Sequence, residues 1–250
     1  MKRTIICGDI HGSYKALLQC LERSNFDYEN DTLIQLGDIV DGWNEVYECV
    51  EELLKIKNLI SIKGNHDDWF NEFLKYGIHP NSWLQGGHGT LESYCNALGK
   101  KYTLNKGYIT NMLDSDVPLT HKEFFNKQLK YYKDEDNNLF IHGGFHRELL
   151  LKNHPNHEEF WWNRDLWYKA LSFKEINGKF KILESVKEIF IGHTTTILWK
   201  TDKPMNAYNI WNLDTGAGFK GKLTFMDLDT KVYWQSDEVS ELYKDQKGRN

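Results

Sequence analysis

The first third of the chain repeats one pattern: a short apolar run, a turn rich in Gly, Asp and His, then a stretch with helical spacing. That is how β-strand, loop and α-helix alternate. The first unit is Thr4 to Cys7, the turn Gly8 to Gly12, and a helix over Tyr14 to Arg23 with Leu17, Leu18 and Leu21 on one face. The second is Thr32 to Leu36, the turn Gly37 to Trp43, and a helix over Asn44 to Ile56. The third is Leu59 to Ile62, the turn Gly64 to Asp67, and a short helix with Phe70, Phe73 and Leu74 inward. Units of this kind point to an α/β fold whose strand-end loops open on one side of the sheet, where ligands bind.

Composition narrows the function classes. The 250 residues are 40% hydrophobic, with nine Trp, which is too apolar for a disordered chain and enough for a sizeable core. The net charge of −5, with no Lys/Arg-rich block, argues against a role coating nucleic acid. Cys7, Cys20, Cys49 and Cys95 form no C-x-x-C pair, so a reducing compartment is expected. The apolar stretch Ile5 to Cys7 is too short for a secretory signal, and no run approaches a membrane span. The expectation is a cytoplasmic protein with no membrane role; the oligomeric state stays open, a monomer being compatible.

Further along, Gly89 to Leu98 and Thr120 to Tyr132 read as helices, the second opening with a capping box of Thr120 and Glu123. Leu139 to His142 reads as a strand, Glu158 to Leu171 as one aromatic-rich helix, and Glu188 to Ile191 as another strand. Ile210 to Asn212, Lys222 to Asp227 and Lys231 to Ser236 are strand-like, with Asp229-Thr230 turning a hairpin. No linker or repeat divides residues 1–236, and the charged tail, 237–250, is expected to fray.

Three of the turns carry Gly8-Asp9-Ile10-His11-Gly12, Gly37-Asp38-Ile39-Val40-Asp41 and Gly64-Asn65-His66-Asp67. Two later ones carry His142-Gly143-Gly144 and Gly192-His193-Thr194. The fixed positions of the first motif alone would arise by accident about once in a thousand chains of this length. Together the loops supply carboxylates, an amide and imidazoles, an oxygen and nitrogen donor set suited to Mn, Fe or Zn. One carboxylate bridging two such ions would form the clamp used for displacement at phosphorus.

The ordered set GDxHG, GDxVD, GNHD, HGG and GH strongly resembles the calcineurin-like metallophosphoesterases. Within them it is most similar to the phosphoprotein phosphatase branch and its bacterial and phage relatives, which include diadenosine tetraphosphatases. Phe160 to Asp165 is similar to the family's Trp/Arg segment, and Leu213 to Ala217 with Gly221 to Leu223 to its C-terminal strand motif. The resemblance implies two mixed β-sheets packed as a sandwich and flanked by helices. It implies that Asp9 and His11 bind a first metal, that Asp38 bridges, and that Asn65, His142 and His193 complete a second. Manganese is the first choice, with iron or zinc as alternatives. His66 would protonate the leaving oxygen, Asp41 would hold its imidazole and favour the charged form, and Arg164 would clamp the phosphate.

The implied function is a di-metal phosphomonoesterase of serine/threonine protein phosphatase type, acting by metal-hydroxide attack on phosphorus. The alternative is a dinucleoside polyphosphate hydrolase of the diadenosine tetraphosphate type, and the minority alternative a catalytically silent module that binds phosphorylated ligands. The partner in each case is a phosphorylated protein, small phosphate ester or nucleotide.

One departure bears on the substrate. The protein-phosphatase pattern continues Asp-Arg-Gly and uses that arginine on phosphate, whereas this chain reads Asp41-Gly42-Trp43-Asn44. Lys63 and Arg147 are candidates to replace it, though each is equally an ordinary surface charge. Trp43 is expected to pack against the next helix rather than stack on a base. Trp83 to Thr90, with its three glycines, reads equally as an anion-binding loop or a plain turn. Trp161, Trp162 and Trp167 are expected in the core, with Arg164 on the same helix face as Trp161.

Overall fold

A computed structural model describes residues 2–249 apart from 79–82, 84 and 105–107. The opening repeat is realised as β1 (Thr4–Cys7), α1 (Tyr14–Arg23), β2 (Thr32–Gln35), α2 (Val46–Leu53), β3 (Asn58–Ser61) and α3 (Asn65–Tyr76). The chain continues through α4 (Gly87–Ala97), a hairpin of β4 (Tyr102–Leu104) and β5 (Tyr108–Thr110), and α5 (Leu119–Lys127). Then come β6 (Tyr132–Lys133), β7 (Leu139–Phe140), α6 (Glu159–Trp162), α7 (Asp165–Glu175) and β8 (Ile189–Ile191). The last part holds β9 (Met205–Ala207), β10 (Ile210–Asn212), β11 (Thr224–Asp227), β12 (Tyr233–Gln235) and α8 (Val239–Leu242).

Among the described residues the strands form two mixed five-stranded sheets, ordered β12-β11-β1-β2-β3 and β6-β7-β8-β10-β9, with β4-β5 as a separate two-stranded sheet. Strands β1, β2 and β3 run parallel, with Ile6 opposite Ile34 and Ile34 opposite Ile60, and β11 joins β1 antiparallel. In the other sheet β7, β8 and β10 run parallel. Because successive strand side chains point to opposite faces, each strand feeds two cores. Ile5, Cys7 and Leu33 face the helices beside the first sheet, and Leu139, Ile189 and Ile191 face those beside the second. Ile6, Ile34, Phe140 and Phe190 meet in the layer between the sheets. The result is the expected sandwich flanked by helices.

Several elements differ from the sequence reading. Helix α5 starts after Pro118, Thr120 makes no cap hydrogen bond, and Tyr132 lies in a strand. The aromatic helix is two helices, broken at Asn163-Arg164 where Asn163 turns extended (φ −70°, ψ 122°). Arg164 therefore does not share a continuous helix face with Trp161. The strands β4, β5 and β9 lack the alternation or length that would mark them in the sequence. The tail does not fray: α8 is followed by Tyr243, which is buried and stacks on Trp43 with ring centroids 5.0 Å apart. Trp43 is buried as a packing residue, but the ring stacked on it is Tyr243 of the tail, where the next helix was expected, and its indole N–H donates to Ala217 O at 2.7 Å. The four cysteines are free and buried. No described helix is long and apolar enough to cross a membrane.

Candidate metal centre

Asp9 and His11 follow β1, Asp38 and Asp41 follow β2, and Asn65 and His66 open α3 directly after the β3 loop. His142 and His193 follow β7 and β8 of the other sheet. The loops are tied to one another. Ile10 and His11 N–H both donate to Asp38 O, and Gly12 N–H to Ile39 O, at 2.8–3.0 Å. Asp67, which carried no assigned role in the sequence, accepts from Asp38, Ile39 and Gly64 N–H and from Gln128 Nε2 at 2.9–3.1 Å. A carboxylate that collects backbone donors from two loops fixes both.

This tethering imposes unusual backbone. His11, Asp38, Asp41 and His193 all have positive φ, at 50°, 56°, 66° and 66°. Such conformations cost energy in non-glycine residues and concentrate at functional sites, where surrounding structure holds them.

Two donor groups result: Asp9, His11 and Asp38 in one, and Asp38, His142 and His193 in the other, the ligand atoms of each group lying within 4.8 Å of one another. Asp38 belongs to both. Its Oδ2 stands 3.6 Å from His11 Nε2 and 3.3 Å from His142 Nε2. Asn65 Oδ1 is 3.3 Å from His142 Nε2. These groupings join the same residues that the motifs suggested.

The donor set fits divalent ions on three counts. His11 Nδ1 contacts the Val40 and Asp41 carbonyls at 2.9 and 2.8 Å, and His142 Nδ1 contacts Leu36 O at 2.8 Å. A histidine whose Nδ1–H is held by a carbonyl presents Nε2 as a lone-pair donor, the usual arrangement of a metal ligand. Secondly, Asp9 Oδ1 and His193 Nε2 are buried with no hydrogen-bond partner among the described residues, although such atoms are nearly always paired. Thirdly, the cradle is tight: a Cβ on Gly192 would collide with Asp9 Oδ1.

The electrostatics follow from burial. Desolvation holds His11 and His193 well below the ordinary imidazole range, leaving them neutral as ligands must be. It raises Asp9, reinforced by the neighbouring Asp214 carboxylate, itself pushed up to about 6. Asp214 is a second acid that sequence reading had placed only within a motif. Burial also raises Asp38 in part, but His142 and His66 outweigh it and hold Asp38 well below the carboxylate range.

Beside this cluster, His66 Nδ1 lies 2.7 Å from Asp41 Oδ2. Asp41 Oδ1 accepts from Trp83 Nε1 at 2.7 Å and Thr90 Oγ1 at 2.6 Å. The Trp83 to Thr90 segment, of which residue 84 lies outside the described set, thus supports Asp41. The expectation that Asp41 favours charged His66 is opposed by the burial of both groups. Burial dominates, lowering His66 to about 3 and raising Asp41 to about 7. Arg164 Nη1 donates to His193 O at 2.6 Å and Thr194 Oγ1 at 2.9 Å, which puts its guanidinium at the margin of the second donor group. Trp162, expected in the core, is 42% exposed and packs edge-on against His193.

The family model described as calcineurin-like phosphoesterase matches residues 2–196. The chain is a calcineurin-like phosphoesterase. This phosphoesterase is 31% identical to a symmetrical bis(5'-nucleosyl)-tetraphosphatase of Coxiella burnetii, over 94% of this chain and 93% of that one. It is 32% identical to serine/threonine-protein phosphatase 1 of Salmonella typhimurium, over 33% of this chain and 37% of that one. Its fold is similar to the crystal structure of a metallophosphoesterase from Sphaerobacter thermophilus, with TM-score 0.54, 16% identity, and coverage of 97% and 93% of the two chains. The phosphoesterase is accordingly a metal-dependent hydrolase whose relatives include both a bis(5'-nucleosyl)-tetraphosphatase and a serine/threonine-protein phosphatase.

Proposed function

We propose that this phosphoesterase is a phosphomonoesterase of the serine/threonine protein phosphatase type, with Asp9, His11, Asp38, Asn65, His142 and His193 holding two divalent ions, manganese first among them. The observation that carries the reading is the junction of two donor groups at one carboxylate, Asp38, with two buried ligand atoms left unpaired. When bound, such an ion pair neutralises phosphate oxygens and lowers the pKa of water.

The chain's own residues supply the rest. Arg164, held through Nη1 alone among the described residues, keeps its other guanidinium donors for phosphate oxygens in a forked contact that lysine would not reproduce. Asp41 engages His66 Nδ1, which leaves Nε2 for proton transfer. Burial keeps that imidazole neutral until a phosphate dianion enters, and the dianion then favours the protonated form that an acid requires.

A second reading, hydrolysis of a dinucleoside polyphosphate, is favoured by the end-to-end likeness to the tetraphosphatase. A cavity of about 720 Å³ beside Gly42 and Phe219 is also in the size range of small-ligand sites. Trp43 plays no part there, being buried by Tyr243.

The test is turnover of a phosphoserine peptide and of diadenosine tetraphosphate side by side, with Mn²⁺ and after chelation. Faster release of phosphate from the peptide supports the first reading, and preferred cleavage of the dinucleotide replaces it with the second. Tight binding of either without turnover would leave only a binding module. Undiminished hydrolysis of p-nitrophenyl phosphate after metal stripping would overturn the metal assignment.

A further inference from the structure

The substitutes suggested for the arginine lacking at position 42 are both engaged elsewhere. Lys63 Nζ pairs with Asp68 at 3.0 Å and sits 5.7 Å from the centre of the Trp161 ring. Arg147 pairs with Glu148 at 2.8 Å and donates to Lys181 O at 3.1 Å. A different guanidinium reaches the site, from the end of the chain. Arg249 Nη1 stands 3.1 Å from His11 Nε2, and its guanidinium carbon lies 5.1 Å from the Phe219 ring centre. Among the described residues it forms no ion pair.

The tail that delivers it is anchored. Tyr243 stacks on Trp43, its hydroxyl accepts from Lys15 N–H at 3.0 Å, and it donates to Glu45. Arg249 N–H donates to Gly218 O at 2.8 Å. The Arg249 stem then lies close against three glycines. A Cβ on Gly42, Gly86 or Gly218 would stand 3.4, 3.1 or 3.3 Å from its methylenes. Gly42 has φ +126°, a conformation that disfavours any other residue, so in this chain position 42 gives space instead of a cation. The guanidinium therefore flanks the first donor group at His11, as Arg164 flanks the second at His193.

We propose that Arg249 is a phosphate-binding residue of this site, brought by the C-terminal tail through the gap beside Gly42 so that two guanidinium groups grip the substrate's phosphoryl oxygens from different sides. The assignment rests on the reading that a phosphate ester occupies the Asp9 to His193 cluster. Arg249 makes no direct ion pair among the described residues, so its donors stay available, and phosphate is the anion whose geometry a guanidinium matches. A guanidinium and a metal ion cannot both use His11 Nε2, so loading the centre displaces the tip of Arg249 while its stem stays beside the glycines.

The test is calorimetric titration of the 250-residue, Mn²⁺-loaded protein with inorganic phosphate, for wild type, Arg249→Ala, Arg249→Lys and the exposed tail control Lys244→Ala. Arg249→Ala should weaken phosphate binding by about tenfold or more. Arg249→Lys should restore only part of it, and KM for p-nitrophenyl phosphate should rise in parallel. Mn²⁺ stoichiometry, melting temperature and the Lys244→Ala values should stay at wild type. Unchanged phosphate affinity in Arg249→Ala overturns the proposal, and so does tighter phosphate or Mn²⁺ binding with faster turnover, which would make the tail a plug. If wild type binds phosphate through Arg249 yet hydrolyses no ester, the hydrolase reading fails and the phosphate assignment stands. If wild type turns over and Arg249→Ala does so identically, the reverse holds.

Discussion

Asp9, His11, Asp38 and Asn65 stand on loops of neighbouring parallel strands that hydrogen-bond to one another, whereas His142 and His193 follow strands of the other sheet, Arg164 stands at the break between α6 and α7 beside it, and all three reach the first group across the sandwich. The first half is a local construction: strand register and Asp67 position its loops before the second sheet is considered. The second half depends on the layer of Ile6, Ile34, Phe140 and Phe190 that brings the sheets together. Besides the approach of His142 Nε2 to Asp38 Oδ2 and Asn65 Oδ1, the halves are stitched at the site by His193 N–H to Asp9 Oδ2 at 3.0 Å and by His142 Nδ1 to Leu36 O at 2.8 Å. A site split this way has one part that can be preformed and one that exists only once the whole chain has packed.

Asp38→Asn strikes the one residue common to both halves, and the largest effect is expected there. Turnover should fall by about a thousandfold or more, since several kcal/mol of charge stabilisation is lost. Retention of two Mn²⁺ per chain by elemental analysis would show that the halves do not depend on a shared carboxylate. His66→Gln touches proton transfer alone: kcat should drop by about 10²–10⁴ with Mn²⁺ still bound. Normal rates on an ester with a poor leaving group would remove His66 from the acid role.

Asp67→Ala separates the loops of the first half without altering a proposed ligand. The N–H groups of Asp38, Ile39 and Gly64 would lose this acceptor, which should cost about 2–4 kcal/mol in denaturant unfolding and weaken Mn²⁺ binding. If melting and metal affinity both stay at wild type, the first half is not held by Asp67.

The smallest effect is expected far from the site, at Asp31. Burial raises this carboxyl, but hydrogen bonds from the Arg3 guanidinium and N–H and from Asp27 N–H outweigh it and leave it below its ordinary value. A depressed folded pKa adds stability above the unfolded value near ~3.9 and loses it as pH falls through the folded one. Asp31→Ala should therefore lower stability at pH 7 by about 1–2 kcal/mol, a gap that narrows toward pH 3, with turnover unchanged. A gap of constant size across that range would contradict the ionic origin.

The motif loops were legible because each lies within a few residues of the strand that presents it, as Asp9 and His11 do after Cys7. The break at Asn163-Arg164 was not, because Phe160 to Leu171 keeps an apolar spacing across it, and only packing shows the chain turning extended so that Arg164 reaches His193. Asp67 and Asp214 read as ordinary turn residues, since what distinguishes them is which groups face them. The tail reads as a solvated charge run, since the apolar surface of Trp43 that Tyr243 covers is two hundred residues earlier in the chain.

The succession of short apolar runs and helical stretches, the turn glycines and the ordered Asp, His and Asn positions were determined by the amino-acid sequence alone, because propensity and ligand chemistry act over short spans. The tertiary structure decided which donors share Asp38, how deeply His66 and Asp41 are desolvated, and that Arg249 enters beside Gly42. Burial and long-range contact set these, and neither is a property of any local stretch of chain.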